Sequence, residues 1–362
     1  MLRRMGPPLA PAAPDELVGA DRVRSGRLAE AARFVVSLLE RPASDIRVVE
    51  GQLGLSEDLV VPGDPSAFEI VAVEQPADPG VVWAVDGGSC LVADARSFSV
   101  AAYRVARVRF ARGTTELIET PALEVEATSA ERLPALARAA LAELGHEPER
   151  LPDVTRPVDA LREWAEWREV RRTVREAGPG DLVLVDGSLH AGPLVPAEAV
   201  RAIHGEAVDR GVSLVGVVKA STLYWGRHVP LVTLLKRRAD RELGATVWAT
   251  RISTDPVFGR LYVGDIFVAH LAPTAPYAFR VDVAAGPQAA ASVLGRLAAL
   301  ARDPAFVGYP YPLARAHQAA RVTGYAVADV RRAFRDALAA AGMSFDDVEV
   351  LFQDFHVVLN RS

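Results

Sequence analysis

The order of apolar segments predicts a mixed α/β fold. Three strand-like segments follow one another with no helix between them, at 81–86 (VVWAVD), 97–110 and 115–127, the pattern of an antiparallel meander. Helix and strand then alternate: helical periodicity at 129–144 and 156–177, the strand DLVLVD at 181–186, a helix near 196–210, and the strand VSLVGVVKAS at 212–221. Two of these core strands run directly into Asp-Gly, as AVDGGS (84–89) and LVDGSL (184–189). A carboxylate at the polar end of a buried strand is costly unless it has a task, so the pair suggests one shared site.

The remaining segments fill out this frame. RLAEAARFVVSLLER at 27–41 has apolar residues at helical spacing and predicts an amphipathic helix. Residues 51–80, with Pro62, Gly63, Pro65, Pro76, Pro79 and Gly80, read as a loop-rich, acidic connecting or partner-binding arm. Beyond residue 221, TVWATRIS (246–253), RLYVGDIFVAHLA (260–272) and YAFRVDV (277–283) predict extra strands, and helices are expected at 287–302, 310–322 and 326–341. No composition break splits the later chain. The expected organisation is an N-terminal helix and arm over 1–80, followed by one elaborated domain over 81–362 with a helical C-terminal part.

Composition narrows the class. Hydrophobic residues make up 50% and charged residues 24% of the 362, as in an ordinary globular protein. No apolar run reaches the ~18–20 residues that span a bilayer. The Pro/Ala-rich start lacks the apolar core of a signal peptide. A single cysteine, Cys90, allows no intrachain disulfide and no cysteine zinc cluster, and reads most simply as a small core residue. A cytoplasmic protein with no membrane partner is therefore expected. The net charge of −5 does not fit a free-standing, tight nucleic-acid binder, although it says little about a local groove. Lysine occurs only at Lys219 and Lys236, so 39 of the 41 basic residues are arginine, the side chain that grips phosphate bidentately.

The two acids fit a ribonuclease H type of arrangement, a mixed sheet with flanking helices and here with extra β-hairpins. In it the first and fourth strands lie side by side, so Asp86 and Asp186 would face one another. Two carboxylates forced together repel and shift each other's pKa. A divalent cation removes that cost, and hard oxygen donors suit Mn²⁺ or Mg²⁺. Two such ions stabilise the attacking and leaving oxygens of a phosphoryl displacement. Gly87, Gly88 and Gly187 would permit tight turns and a close approach to substrate; Asp-Gly after a strand is otherwise an ordinary turn signal. A third acid is expected from ALREWAEWREVRRTVREAG, which offers Glu163, Glu166 and Glu169; the first two share a helix face, and periodicity leaves open which points inward. Lys219 closes its strand at the same carboxyl edge, placed either to hold a phosphate or to orient an acid.

The stretches AVDGGS, LREWAEWR, LVLVDGSL, VGVVKAS and YPYPLARAHQAA, spread from about residue 81 to 321, resemble those of the NurA family, the nuclease partners of the HerA helicase–translocase. The resemblance implies a ribonuclease H-like fold, a manganese-dependent DNA nuclease and a role in end resection and repair. It implies 5′ to 3′ exonuclease and single-strand endonuclease activities, and a homodimer seated on a hexameric HerA-type ATPase. It singles out Asp86, Glu166 and Asp186 as metal ligands and His317 as a late ligand or catalytic residue. The first 80 residues carry none of it.

Other candidates are weaker. His190 lies four residues after Asp186, Asp282 ends the strand-like FRVDV, and Asp265 reads equally as a bulge residue. An actin-like or sugar-kinase ATP-binding protein would use DGGS as a phosphate loop, but a late Gly-Gly adenosine loop is missing. A haloacid-dehalogenase phosphatase would need acids where Ala84 and Leu184 stand. A non-catalytic adaptor of a DNA motor remains the third alternative.

Overall fold

A computed structural model of the chain describes residues 25–39, 68–95, 97–189, 192, 194–221, 223–225, 229–252, 263–285 and 290–352. Helix α1 (Ser25–Leu39) and the short strand β1 (Val71–Ala72) come first. Strands β2 (Val82–Asp94), β3 (Phe98–Ala111), β4 (Thr114–Glu119) and β5 (Glu124–Ser129) follow. Helices α2 (Leu133–Glu143) and α3 (Pro157–Glu176) then lead into β6 (Leu182–Asp186), α4 (Ala197–Asp209) and β7 (Ser213–Val218). A two-stranded hairpin, β8 (Tyr224–Trp225) and β9 (Val229–Pro230), opens into α5 (Leu231–Glu242). Strands β10 (Trp248–Arg251), β11 (Asp265–His270) and β12 (Phe279–Ala284) precede helices α6 (Ala290–Leu300), α7 (Tyr311–Ala320), α8 (Gly324–Ala340) and α9 (Phe345–Phe352).

Among the described residues ten strands form one sheet in the order β1-β10-β11-β12-β7-β6-β2-β3-β4, with β5 also paired to β3. The segment β4-β3-β2-β6-β7 has the ribonuclease H arrangement. Strand β2 is antiparallel to β3 and parallel to β6, and β6 is parallel to β7. The later strands extend the sheet past β7 in antiparallel steps.

Alternation along the central strands sorts the core onto two faces. Trp83, Val85, Val183 and Val185 pack with Leu161, Trp164, Trp167, Val170 and Val174 of α3 and with Ile203 of α4. Val82, Ala84, Leu182, Leu184, Val215 and Val217 pack on the opposite side with Leu294 and Leu297 of α6 and Leu313 and Ala316 of α7. Helix α1 buries Leu28, Ala31 and Ala32 in a third cluster with Val330 and Phe334 of α8.

Two expectations are corrected. The third strand over 115–127 is two strands, because the chain leaves β3 after Glu119 and returns at Glu124 farther along the same neighbour. Asp86 does not end its strand. Strand β2 continues for eight residues past it, paired to β3 except at an irregularity at Val92, while β6 stops at Asp186. The carboxylates therefore meet at a notch where one parallel neighbour ends.

Candidate active site

Even-numbered residues of β2 and β6 share the face covered by α7, which puts Asp86 and Asp186 on that face. Helix α7 supplies His317, whose Nδ1 lies 2.7 Å from Asp86 Oδ2 and 3.8 Å from Asp186 Oδ2. Ligand atoms of Asp86, Asp186 and His317 all lie within 4.8 Å of one another. Lys219, the residue after β7, donates from Nζ to Asp186 Oδ2 and stands 3.4 Å from His317 Nδ1.

Tyr309 completes this side. Its hydroxyl donates to Asp186 Oδ1 at 2.9 Å, and the Lys219 ammonium lies 5.1 Å from its ring centre. The stretch YPYPLARAHQAA carries part of the resemblance, but sequence alone does not single out Tyr309. The chain reaches it through Val307 at φ 47° and Gly308 at φ 86°. A β-branched residue in the left-handed region is strained, and such strain concentrates at functional sites.

Glu166 arrives from the other face. It lies on α3 against Gly87, where an added Cβ would sit 2.4 Å from Glu166 Oε1. The Gly87 N–H donates to Asp86 Oδ1 at 2.8 Å and also reaches the Glu166 carboxylate, which is ion-paired with Arg162. Glu166 is outside the close Asp86–Asp186–His317 group but couples electrostatically to both aspartates. On the α7 side, a Cβ on Gly88 would lie 2.1 Å from Ala320 O at the end of that helix. The Asp-Gly-Gly-Ser segment is thus extended strand and not a turn. Its glycines let α3 and α7 close on the same two residues, one from each face. An extended backbone also lacks the cradle of N–H groups that a phosphate loop needs.

Charge follows this packing. Burial, then the neighbouring Asp186 and Glu166 carboxylates, raise the Asp86 pKa to about 8. Burial also raises Glu166, against the pull of Arg162, and lifts Glu163 to about 7 with Glu166 beside it. Burial followed by Lys219 lowers His317, and burial with Asp186 pushes the Tyr309 phenol well up. A cluster that holds a proton on an aspartate near neutral pH is short of positive charge. Two carboxylates and an imidazole in reach of one point are a donor set that fits Mn²⁺ or Mg²⁺.

The remaining candidates lie elsewhere. Asp282 is fully buried inside β12, held by Arg280 through two 2.7 Å bonds, and accepts the Leu189 N–H at 2.9 Å. It anchors the segment that leaves Asp186, which crosses Gly216 so closely that a Cβ there would meet Gly187 O at 2.5 Å. Asp265 pairs with Arg251 at 2.6 Å, and Glu169 with Arg107 at 3.4 Å. Glu163 stays beside Glu166 and outside the Asp86–Asp186–His317 group. Cys90 is partly buried in β2, and His190 is outside the described residues.

The model of the NurA domain matches residues 80–225, a span that contains Asp86, Glu166, Asp186 and Lys219. Residues 80–225 carry a NurA domain. Among solved structures, the NurA nuclease from Sulfolobus solfataricus is 16% identical, covering 75% of this chain and 88% of that one, with a TM-score of 0.46. The catalytic domain of human Endonuclease V is 17% identical over 75% of this chain and 92% of its own, with a TM-score of 0.34. A Ciona intestinalis Endonuclease V in complex with DNA is 12% identical over 72% and 91%, with a TM-score of 0.35. No curated protein matches the chain. His317 and Tyr309 lie beyond the matched NurA span and join the site through the fold.

Proposed function

We propose that this chain is a divalent-metal-dependent DNA nuclease of the NurA family. The observation that carries the reading is the convergence of Asp86, Asp186 and His317 within 4.8 Å, with Glu166 behind Gly87. Asp86, Asp186 and His317 would hold Mn²⁺ or Mg²⁺, with Glu166 as the further acid. When bound, such an ion or ion pair polarises a phosphodiester and lowers the pKa of water.

The side chains have separable tasks. Tyr309 fixes one oxygen of Asp186 by donating to it, which leaves the other oxygen toward Lys219 and His317. Lys219 supplies a positive charge beside the position a phosphate would take, where it stabilises charge that develops on non-bridging oxygens. His317, half-exposed and bonded to Asp86 through Nδ1, is placed to pass a proton between that pair and solvent.

The finer reading follows the family. The preferred ion is Mn²⁺ in a two-metal site, and the products come from 5′ to 3′ exonuclease and single-strand endonuclease cleavage during end resection and repair. The working form is a cytoplasmic homodimer on a hexameric HerA-type ATPase. Among the described residues no helix is long and apolar enough to cross a membrane.

The test is cleavage of labelled DNA with and without Mn²⁺. Asp86→Asn and Asp186→Asn should each lower the rate by about 10²-fold or more with circular dichroism unchanged, because each amide loses the charge that attracts the cation. Cleavage at the unaltered rate by either variant would reject the site.

A further inference from the structure

An acidic chain that cleaves DNA must still hold the strand near its acids. The corner between α7 and α8 offers the means. Arg321 follows α7 one helical turn, ~5.4 Å, beyond His317, and its charge is felt at that imidazole. Among the described residues no carboxylate pairs with Arg321, whereas Arg107, Arg162, Arg171 and Arg175 are all ion-paired. Four residues later Tyr325, at the start of α8, is 88% exposed, the most exposed large apolar side chain described. Nothing in the core explains an aromatic ring so fully in water.

The corner that carries both residues is rigid. Arg104, buried under it, donates to Ala320 O at 3.3 Å and to Arg321 O at 2.7 Å. Gly88 lies directly beneath Ala320, one same-face position along β2 from Asp86. Thr323 caps α8 by accepting the Ala326 N–H at 3.2 Å, and Val322 packs into the cluster below. The ring and the guanidinium are therefore carried on a fixed backbone, and Arg321 is close enough for its charge to be felt at His317.

We infer that Arg321 and Tyr325 form a single-stranded nucleic-acid subsite, in which Arg321 pairs with a phosphate next to the reacting one and Tyr325 stacks on an unpaired base. This rests on the nuclease reading above. Aromatic stacking is tolerant of sequence because every base has a π-face, and a neighbouring cation tracks the backbone. Arg321 then places its charge where net composition hides it.

Fluorescence anisotropy of a labelled oligothymidine with the full chain in EDTA tests the subsite without cleavage. Tyr325→Ala should weaken binding about ten-fold, and Tyr325→Phe should bind as the unaltered chain. An abasic strand of equal length should not distinguish Tyr325→Ala from the unaltered chain. Arg321→Gln should weaken both strands alike and reduce the slope of log K against log salt by ~0.7. Unchanged affinity of Tyr325→Ala for oligothymidine overturns the proposal, as does equal loss on both strands or an effect confined to self-association. Mn²⁺-dependent cleavage by the unaltered chain is the separate check. Its absence removes the nuclease reading, whereas cleavage with unchanged Tyr325→Ala affinity overturns the subsite alone.

Discussion

Asp86 illustrates how a site residue can oppose the fold that holds it. Its pKa rises to about 8 in the folded chain, against an ordinary carboxylate value of 3.8 when unfolded. Between those values the folded state binds the extra proton, so stability falls as pH rises through that window. Thermal melts in EDTA should show Tm decreasing from pH 5 to pH 8, with a flatter profile for Asp86→Asn. Metal binding needs the carboxylate, so added Mn²⁺ should raise Tm more at pH 8 than at pH 6. A pH-independent Tm in EDTA would contradict the burial and crowding given for Asp86. Asp86 and Asp186 could be read from the chain because an apolar strand running into Asp is a local pattern. Lys219 followed from strand order. Glu166 and His317 needed the family resemblance, since a helical acid or histidine has no local mark of function. Tyr309 had none either: its partner Asp186 is 123 residues away.

At the scale of elements, the glycine pair determines how closely two helices approach one strand. A Cβ on Gly88 meets a backbone carbonyl, Ala320 O at 2.1 Å, so α7 must move and take His317 with it. A Cβ on Gly87 meets the end of the Glu166 side chain, which can swing aside. Gly88→Ala should therefore cost about 1–3 kcal/mol in denaturant unfolding, the usual range for overpacking, and Gly87→Ala less. Both should lower cleavage, Gly88→Ala through His317 and Gly87→Ala through Glu166. Equal stability of Gly88→Ala and the unaltered chain would show that α7 is not seated as described. The sequence suggested turns here because Asp-Gly is a turn signal in most settings. What overrides it is tertiary: β3 pairs with β2 through and beyond the glycines. Helix α5 was not expected from the sequence: its apolar residues crowd into the first turn and a half, with Leu231 and Leu235 buried and Val232 and Leu234 partly so, before a charged run broken only by the buried Ala239.

Over the whole molecule, strand order was the most readable property, because meander and alternation are sequential patterns. The antiparallel extension from β12 to β1 was less so: β1 is two residues long and pairs with a strand more than 170 positions later. Global charge remains the feature that sequence and fold leave in tension with DNA cleavage. The chain carries −5, and many of its arginines are committed internally. Arg107 is buried among Glu119, Glu169 and Glu176, while Arg171 and Arg175 converge on Glu206. Such pairs neutralise the arginines of α3 and leave that helix few cations to release counterions from DNA. The isolated chain should therefore bind duplex weakly and lose it readily as salt rises. If a homodimer on a HerA-type ATPase is the working form, the motor's channel supplies the missing phosphate contacts. Adding the cognate ATPase should then tighten duplex binding by about ten-fold or more and steepen the salt dependence, since more phosphates are neutralised. Analytical ultracentrifugation of the chain alone and with that ATPase should show a dimer and then a larger joint species. A monomer that sediments independently of the motor, with unchanged duplex affinity, would reject the assembly and leave the Asp86–Asp186–His317 site to be judged on cleavage alone.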